Sequence, residues 1–306
     1  MRSWSMVVVA LLAGCLPTES ETPLSDTDTD TDSDTDTDTD LSPQEQVCER
    51  WNALESWEGD WTGSTSECDA GDVLDPGRQN ALDAINFYRW LVDEPEATLD
   101  DTRNATAQEC ALMMDANGSL SHNPPSSWAC YTADGAGAAA QSNIATTPGV
   151  AAVHLYMVDP GNETTLGHRR WILNPRTGPV GVGSTDAYSC LHVIGGSNTG
   201  DNSWTAFPPP GFMPMEAYSI GWSSYDATGW SIQSSSMDLS NGEVTVTEDG
   251  AEVDVAVATL AGGYGSSSAI KITPQGWAAQ QDAVYRVVVG GLPNPIDYEF
   301  TLIGCE

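Results

Sequence analysis

Basic residues are scarce in this chain of 306 residues: Lys plus Arg number 10 against 44 Asp plus Glu, for a net charge of −34 at pH 7. No basic patch is available to release counterions from phosphates, which excludes nucleic acid as a partner. The same acidity excludes electrostatic attraction to anionic lipid headgroups. Long apolar runs are also missing. The run Met6–Leu12 is far short of the ~20 apolar residues that cross a bilayer. There is no CxxC pair of a zinc ribbon, no G-x-S-x-G elbow and no H-E-x-x-H helix. Gly195-Gly196-Ser197 lacks the lysine of a phosphate loop. Ser121 beside His122, or Ser142 with His168, can be drawn as nucleophile and base, but serines are abundant and such adjacency arises by chance.

What is there begins at the amino terminus. Arg2 precedes the short apolar run, which ends in Leu12-Ala13-Gly14-Cys15. This segment resembles the lipobox of bacterial lipoproteins. The resemblance implies removal of residues 1–14 and acylation of Cys15, each buried acyl CH2 contributing ~0.8 kcal/mol to membrane anchoring. Leu16, rather than Asp, after the cysteine resembles the outer-membrane signal of Gram-negative bacteria. The expected location is the cell envelope, lipid-anchored, at the outer membrane or cell surface. Residues 15–44 contain the Asp-Thr tract running from Asp26 to Asp40. Alternating carboxylates repel, so this segment is expected to be a disordered, extended tether. It lacks the glycines and spacing of a calcium loop, and weak counterion binding is the expectation there.

Beyond Cys15, six cysteines remain: Cys48, Cys68, Cys110, Cys130, Cys190 and Cys305. An even number in an exported chain points to three disulfides, with fifteen pairings open. The sequential pairing, Cys48–Cys68, Cys110–Cys130 and Cys190–Cys305, is favoured because its first two members close short loops. Residues 45–74 read as a Cys- and Trp-rich lead-in. Asp75-Pro76 signals a helix start, and Leu82, Ile85, Arg89 and Val92 share a face after it. Further helices are expected from about Asp101 to Asn117, capped by Gly118, from about Pro148 to Val158, and around His168. Strands are expected at 180–183 and 188–194. After the Phe207-Pro-Pro-Pro-Gly connector, period-two alternation dominates, and Asp249-Gly250 signals a hairpin between Val244/Val246 and Val253/Val255/Val257. The expected fold is α+β: a layered domain over 75–203, then an immunoglobulin-like β-sandwich over 204–306.

The central motifs are Asn86-Phe-Tyr-Arg89, Gly118-Ser-Leu-Ser-His122-Asn-Pro, Gln141-Ser-Asn143, Tyr156-Met-Val-Asp159 and Gly167-His168-Arg-Arg-Trp-Ile-Leu-Asn-Pro175, followed by Val180-Gly-Val-Gly183. In this order, over about residues 78–195, they resemble the CAP superfamily of cysteine-rich secretory, antigen 5 and pathogenesis-related (SCP-like) proteins, especially its bacterial branch. The resemblance implies an α-β-α sandwich whose cleft carries two histidines and two acidic residues. His122 and His168 match the histidines. Ser142 replaces one glutamate beside Asn143, while Asp159, three residues after Tyr156, is a substitute for the other, with Glu163 in the same loop. Two imidazoles suit a divalent cation, Zn2+ or Ca2+, if a third ligand such as Asp159 or Glu163 joins them. The competing reading is that both histidines organise loops through backbone hydrogen bonds. His154 and His192 read as core residues.

The expected function is a CAP-like, envelope-anchored binding module, non-enzymatic, taking an extracellular lipid, glycan or protein ligand in a His-lined cleft. The alternatives are a divalent-metal-dependent hydrolase using His122 and His168, and a structural envelope protein with a vestigial cleft.

Overall fold

A computed structural model describes residues 41–305, which lie in one compact unit. The lipobox, Cys15 and the Asp-Thr tract lie outside the described residues. None of the described helices is long and apolar enough to cross a membrane.

The first half is helical around a small sheet. Its helices are α1 (Pro43–Asn52), α2 (Asp75–Leu91), α3 (Asp101–Asn117) and α4 (Ala133–Ala139). Strand β1 (Ser142–Ala145) follows, then α5 (Gly149–Val158), α6 (Gly167–Ile172), β2 (Gly181–Ser184) and β3 (Ser189–His192). Local chemistry sets several ends. Ser42 and Glu45 form a reciprocal capping box on α1. Asp100 accepts from Arg103 N at 2.8 Å to start α3. Gly118 ends that helix at φ 56°. Helix α2 starts one residue before the expected proline: its N-cap is Leu74, with no side-chain cap. Helix α4 has an Ala-Gly sequence with no apolar stripe to reveal it beforehand.

The sheet order is β1-β3-β2, all antiparallel. Strand alternation divides its faces between two helical layers. Ile144 and Cys190 join the cluster with Ala107, Met113 and Met114 of α3 and Ala138 of α4. Ala145, Val182 and Leu191 join the cluster with Ile85 and Tyr88 of α2 and Val153 and Met157 of α5. This is an α-β-α sandwich. Gly181 and Gly183 explain the Val-Gly-Val-Gly motif: a Cβ at either would collide with the backbone of Arg103 or of Ala107-Gln108 on α3.

The second half contains β4 (Thr205–Phe207), β5 (Gly211–Pro214), a 3-10 turn (Met215–Tyr218), α7 (Tyr225–Thr228), β6 (Trp230–Ser234), β7 (Glu243–Glu248), β8 (Ala251–Val253), β9 (Val255–Thr259), β10 (Ser268–Pro274), β11 (Val284–Gly290) and β12 (Ile296–Ile303). They make two sheets, β4-β6-β10-β9 and β5-β12-β11-β7-β8. The sheets meet through aromatic rings: Trp230 of β6 lies 5.0 Å from Phe300 of β12 and 5.8 Å from Tyr285 of β11. Asp249-Gly250, both at positive φ, make the β7–β8 turn. Val255 and Val257, however, do not extend that hairpin. The chain leaves the sheet at Asp254 and pairs as β9 with β10 in the other one. The apolar core runs unbroken past residue 203, for Tyr88 of α2 packs on Phe207 and Phe207 on Tyr225, at 5.8 and 4.9 Å between ring centres.

The disulfides are Cys48–Cys305, Cys68–Cys130 and Cys110–Cys190, so none of the sequential pairs forms. The preference for short loops fails because closure entropy grows only slowly with loop length, and the fold decides which thiols meet. Cys110 faces the sheet from α3, where β3 presents Cys190. Cys48 on α1 meets the end of β12, where Asn52 also donates to Cys305 O at 2.9 Å.

Candidate functional site

Helix α5 ends on Asp159, held at φ 62° and 1% exposed. A carboxylate there needs donors on every side. Its Oδ1 lies 2.9 Å from His168 Nδ1 and accepts from Asn162 Nδ2 at 2.9 Å. Its Oδ2 accepts from the backbone N–H groups of His168 at 3.0 Å and Arg169 at 3.4 Å. Asp159 therefore caps α6 and orients the imidazole at once. Since a carboxylate accepts, Nδ1 carries the proton and Nε2 is the nitrogen left for other partners. Tyr156 packs against this ring at 5.0 Å, and its hydroxyl is bonded to Ser189 Oγ at 2.9 Å. Asn143 Nδ2 donates to His168 O at 3.1 Å.

These groups form the wall of a pocket of about 710 Å³. His168, Asp159, Asn162 and Tyr156 line one side; Ile144 to Thr147, Leu155 and His154 line the base. Trp51 of α1 and the stretch from Glu216 to Trp222 close the remainder. His154, expected in the core, packs against it but also reaches the pocket. It is half-buried, its Nδ1 is 2.8 Å from Tyr88 Oη, and Trp51 and Tyr88 both meet its ring edge-on at 5.7 Å. Burial lowers its pKa from 6.5 to about 4, so it is neutral at pH 7. His192 does lie buried in β3, and burial lowers its pKa.

The other expected residues are distributed differently. His122 is exposed and bonded through Nδ1 to Ala139 O at 2.9 Å, and it does not line this pocket. Ser142 is buried, its hydroxyl donating to Ala138 O at 2.7 Å. Glu163 accepts from Gly161 N at 2.8 Å and does not line the pocket. Among the described residues, no three His, Cys, Asp or Glu side chains gather as a metal-binding group. His122 and His168 are each held through Nδ1, which leaves Nε2 as the nitrogen free to ligate.

Two features of the site carry no motif. Glu58, in the lead-in, accepts from Val150 N at 2.5 Å and Ala151 N at 2.8 Å. It thereby caps α5 at its positive end. Arg169 is fully buried, and among the described residues its guanidinium makes no salt bridge. It donates to Met157 O, Val158 O and Gly229 O at 2.6 to 3.0 Å, and to Ser231 Oγ and Thr228 Oγ1 at 3.2 and 3.1 Å. Its guanidinium also lies 4.7 Å from the Tyr225 ring. It joins the end of α5 to α7 and β6. Arg170 does the same for the loop before β10, through Ala261 O and Ser266. Two arginines beside a matched histidine were the available signal.

The α-β-α layer carries a pocket walled in part by the Asp159–His168 pair. Residues 82–194 match the sequence model of the cysteine-rich secretory protein family, CAP. That stretch is thus CAP-like. Among solved structures, an extracellular protein containing a SCP domain from Bacillus anthracis is 24% identical over 37% of this chain and 38% of that one, with a TM-score of 0.31. The chain thus spans under half the length of that protein. No curated protein matches the chain.

Proposed function

We propose that this protein is a CAP-like extracellular binding module, non-enzymatic, held in the cell envelope by a lipid on Cys15. The carrying observation is the pocket beside His168, whose wall is completed by residues outside the family match. Its size and mixture of apolar, aromatic and a few polar groups suit a small ligand. Three disulfides in the folded part agree with an oxidising compartment. Residues 15–44 serve as the tether, 75–203 as the CAP-like part and 204–306 as an immunoglobulin-like sandwich. Strand order supports the last assignment: β4-β6-β10-β9 corresponds to A-B-E-D, and β5-β12-β11-β7-β8 to A′-G-F-C-C′. So does Tyr285 near the start of β11, whose hydroxyl accepts from Gln280 N at 2.8 Å, as in a tyrosine corner.

The test is binding of an environment-sensitive apolar dye to the wild type and to Leu155→Trp, which fills the pocket. Loss of dye binding with unchanged circular dichroism supports the reading; equal binding overturns it. Palmitate labelling that persists in Cys15→Ser would refute the anchor.

A second reading, a divalent-metal-dependent hydrolase at His122 and His168, draws on the Asp159–His168 pair, which resembles an oriented general base. It requires Zn2+ or Ca2+ affinity lost in both His122→Ala and His168→Ala, together with His168-dependent turnover on ester, peptide or glycan substrates. Without turnover or binding, a structural envelope role with a vestigial cleft is what is left.

A further inference from the structure

Part of the pocket's lining lies outside residues 82–194: Trp51 comes from α1, and Glu216, Ile220 and Trp222 from the 3-10 turn and the loop after it. The loop presents Trp222 at the rim, 72% exposed. It is held in a tight turn by Ile220 N donating to Ser223 O at 3.0 Å and by pairing of Ser219 with Ser224. An indole fixed in water beside an apolar cavity is a surface prepared for cover.

Resting on the reading of this pocket as a binding site, we propose that its ligand is a cationic amphiphile: an apolar body bearing an alkylammonium or quaternary ammonium head. Among the described residues, the lining contains no Lys or Arg. The chain's one lysine, Lys271, lies in β10. An anionic head would thus find no Lys or Arg to pair with, and the imidazole of His168 already gives its Nδ1 proton to buried Asp159. Of the ionisable groups in the lining, Asp159 is saturated by His168, Asn162 and backbone donors, and His154 is neutral. Among the described residues of the lining, Glu216 is left as the uncompensated charge. It is exposed at the mouth and fixed by Oε1 accepting from Cys305 N at 3.0 Å. Trp51 and Trp222 are the accessible aromatic rings of the lining, and such rings attract ammonium groups through the ring quadrupole. Ile144, Leu155 and Ala217 suit the apolar body.

Calorimetric titration of the full chain at low salt with octyltrimethylammonium, octanoate and octanol tests this. The cation should bind with one-to-one stoichiometry and at least about tenfold more tightly than either competitor, a difference of about 1.4 kcal/mol. Glu216→Gln, which keeps the acceptor for Cys305 N, should shrink that preference by about three- to tenfold. Trp222→Ala should weaken the cation several-fold. If octanoate or octanol binds as tightly, or if Glu216→Gln leaves the preference unchanged, the charge assignment is wrong while the pocket reading stands. Binding of a neutral chito-oligosaccharide, dependent on Trp222, with no amphiphile bound overturns the ligand class alone. If no probe binds and the apolar dye also fails, both readings fall.

Discussion

Asp159 reaches His168 twice, with one oxygen on the ring nitrogen at 2.9 Å and the other on the backbone N–H at 3.0 Å. The two contacts separate under substitution. In Asp159→Asn, the left-handed backbone is tolerated and one amide oxygen still accepts. Asp159→Ala leaves buried donors unsatisfied. The alanine change should cost about 2–4 kcal/mol and the asparagine change about half of that, read by urea denaturation. Equal losses would show that the carboxylate charge, rather than its accepting geometry, holds the loop.

Arg169 should be among the least replaceable residues in the chain. Truncation to Ala removes donors for Met157 O, Val158 O and Gly229 O together. The loss should be about 3–5 kcal/mol. Arg169→Lys, with no planar fork, should recover less than half of that. If a melt of Arg169→Ala matches the wild type, the arginine does not couple α5 to β6.

His154 makes stability depend on acidity. Its pKa is lowered in the fold to about 4 from 6.5, so the unfolded chain takes up the proton first. The stabilising contribution is complete above pH 6.5 and is lost as pH falls through about 4. Its ring faces the neutral Trp51 and Tyr88. Buried Glu94 and half-buried Asp226, whose pKa values are raised by desolvation, act in the opposite sense. The comparison is therefore with His154→Gln: unfolding free energy followed from about pH 7.5 down to about pH 4 should fall more steeply in the wild type. Parallel curves would show that His154 does not govern the acid limb.

The Cys48–Cys305 pairing predicts a single cross-linked peptide joining the two ends of the folded unit in a nonreducing digest. Replacing both cysteines by serine should lower stability by about 3–5 kcal/mol. A Cys48–Cys68 peptide in the digest would refute it.

Local chemistry made much of this fold readable. The Asp100 and Gly118 caps bound α3 where the residue types say they should, because caps act over one turn. Asp249-Gly250 marked its turn because few other residues accept two successive positive φ values. His168 and Asp159 were singled out together and meet. Relations that depend on distant parts of the chain were not readable. Neither spacing nor pattern places Trp51 and Trp222 on the same pocket as His154, and nothing local sends Val255 to the opposite sheet from Val253. His122 carried a motif match yet stands apart from the pocket lining, since Ala139 O fixes its ring.

The Cys48–Cys305 bond also has a mechanical side. Tension applied between the two ends of the chain enters at α1 and leaves after β12, and there the covalent bridge carries it directly. The loop between these cysteines, which are 257 positions apart, with every helix from α2 onward and all three sheets, bears none of the load. A domain pulled from its ends would stay folded until the sulfurs themselves were reduced.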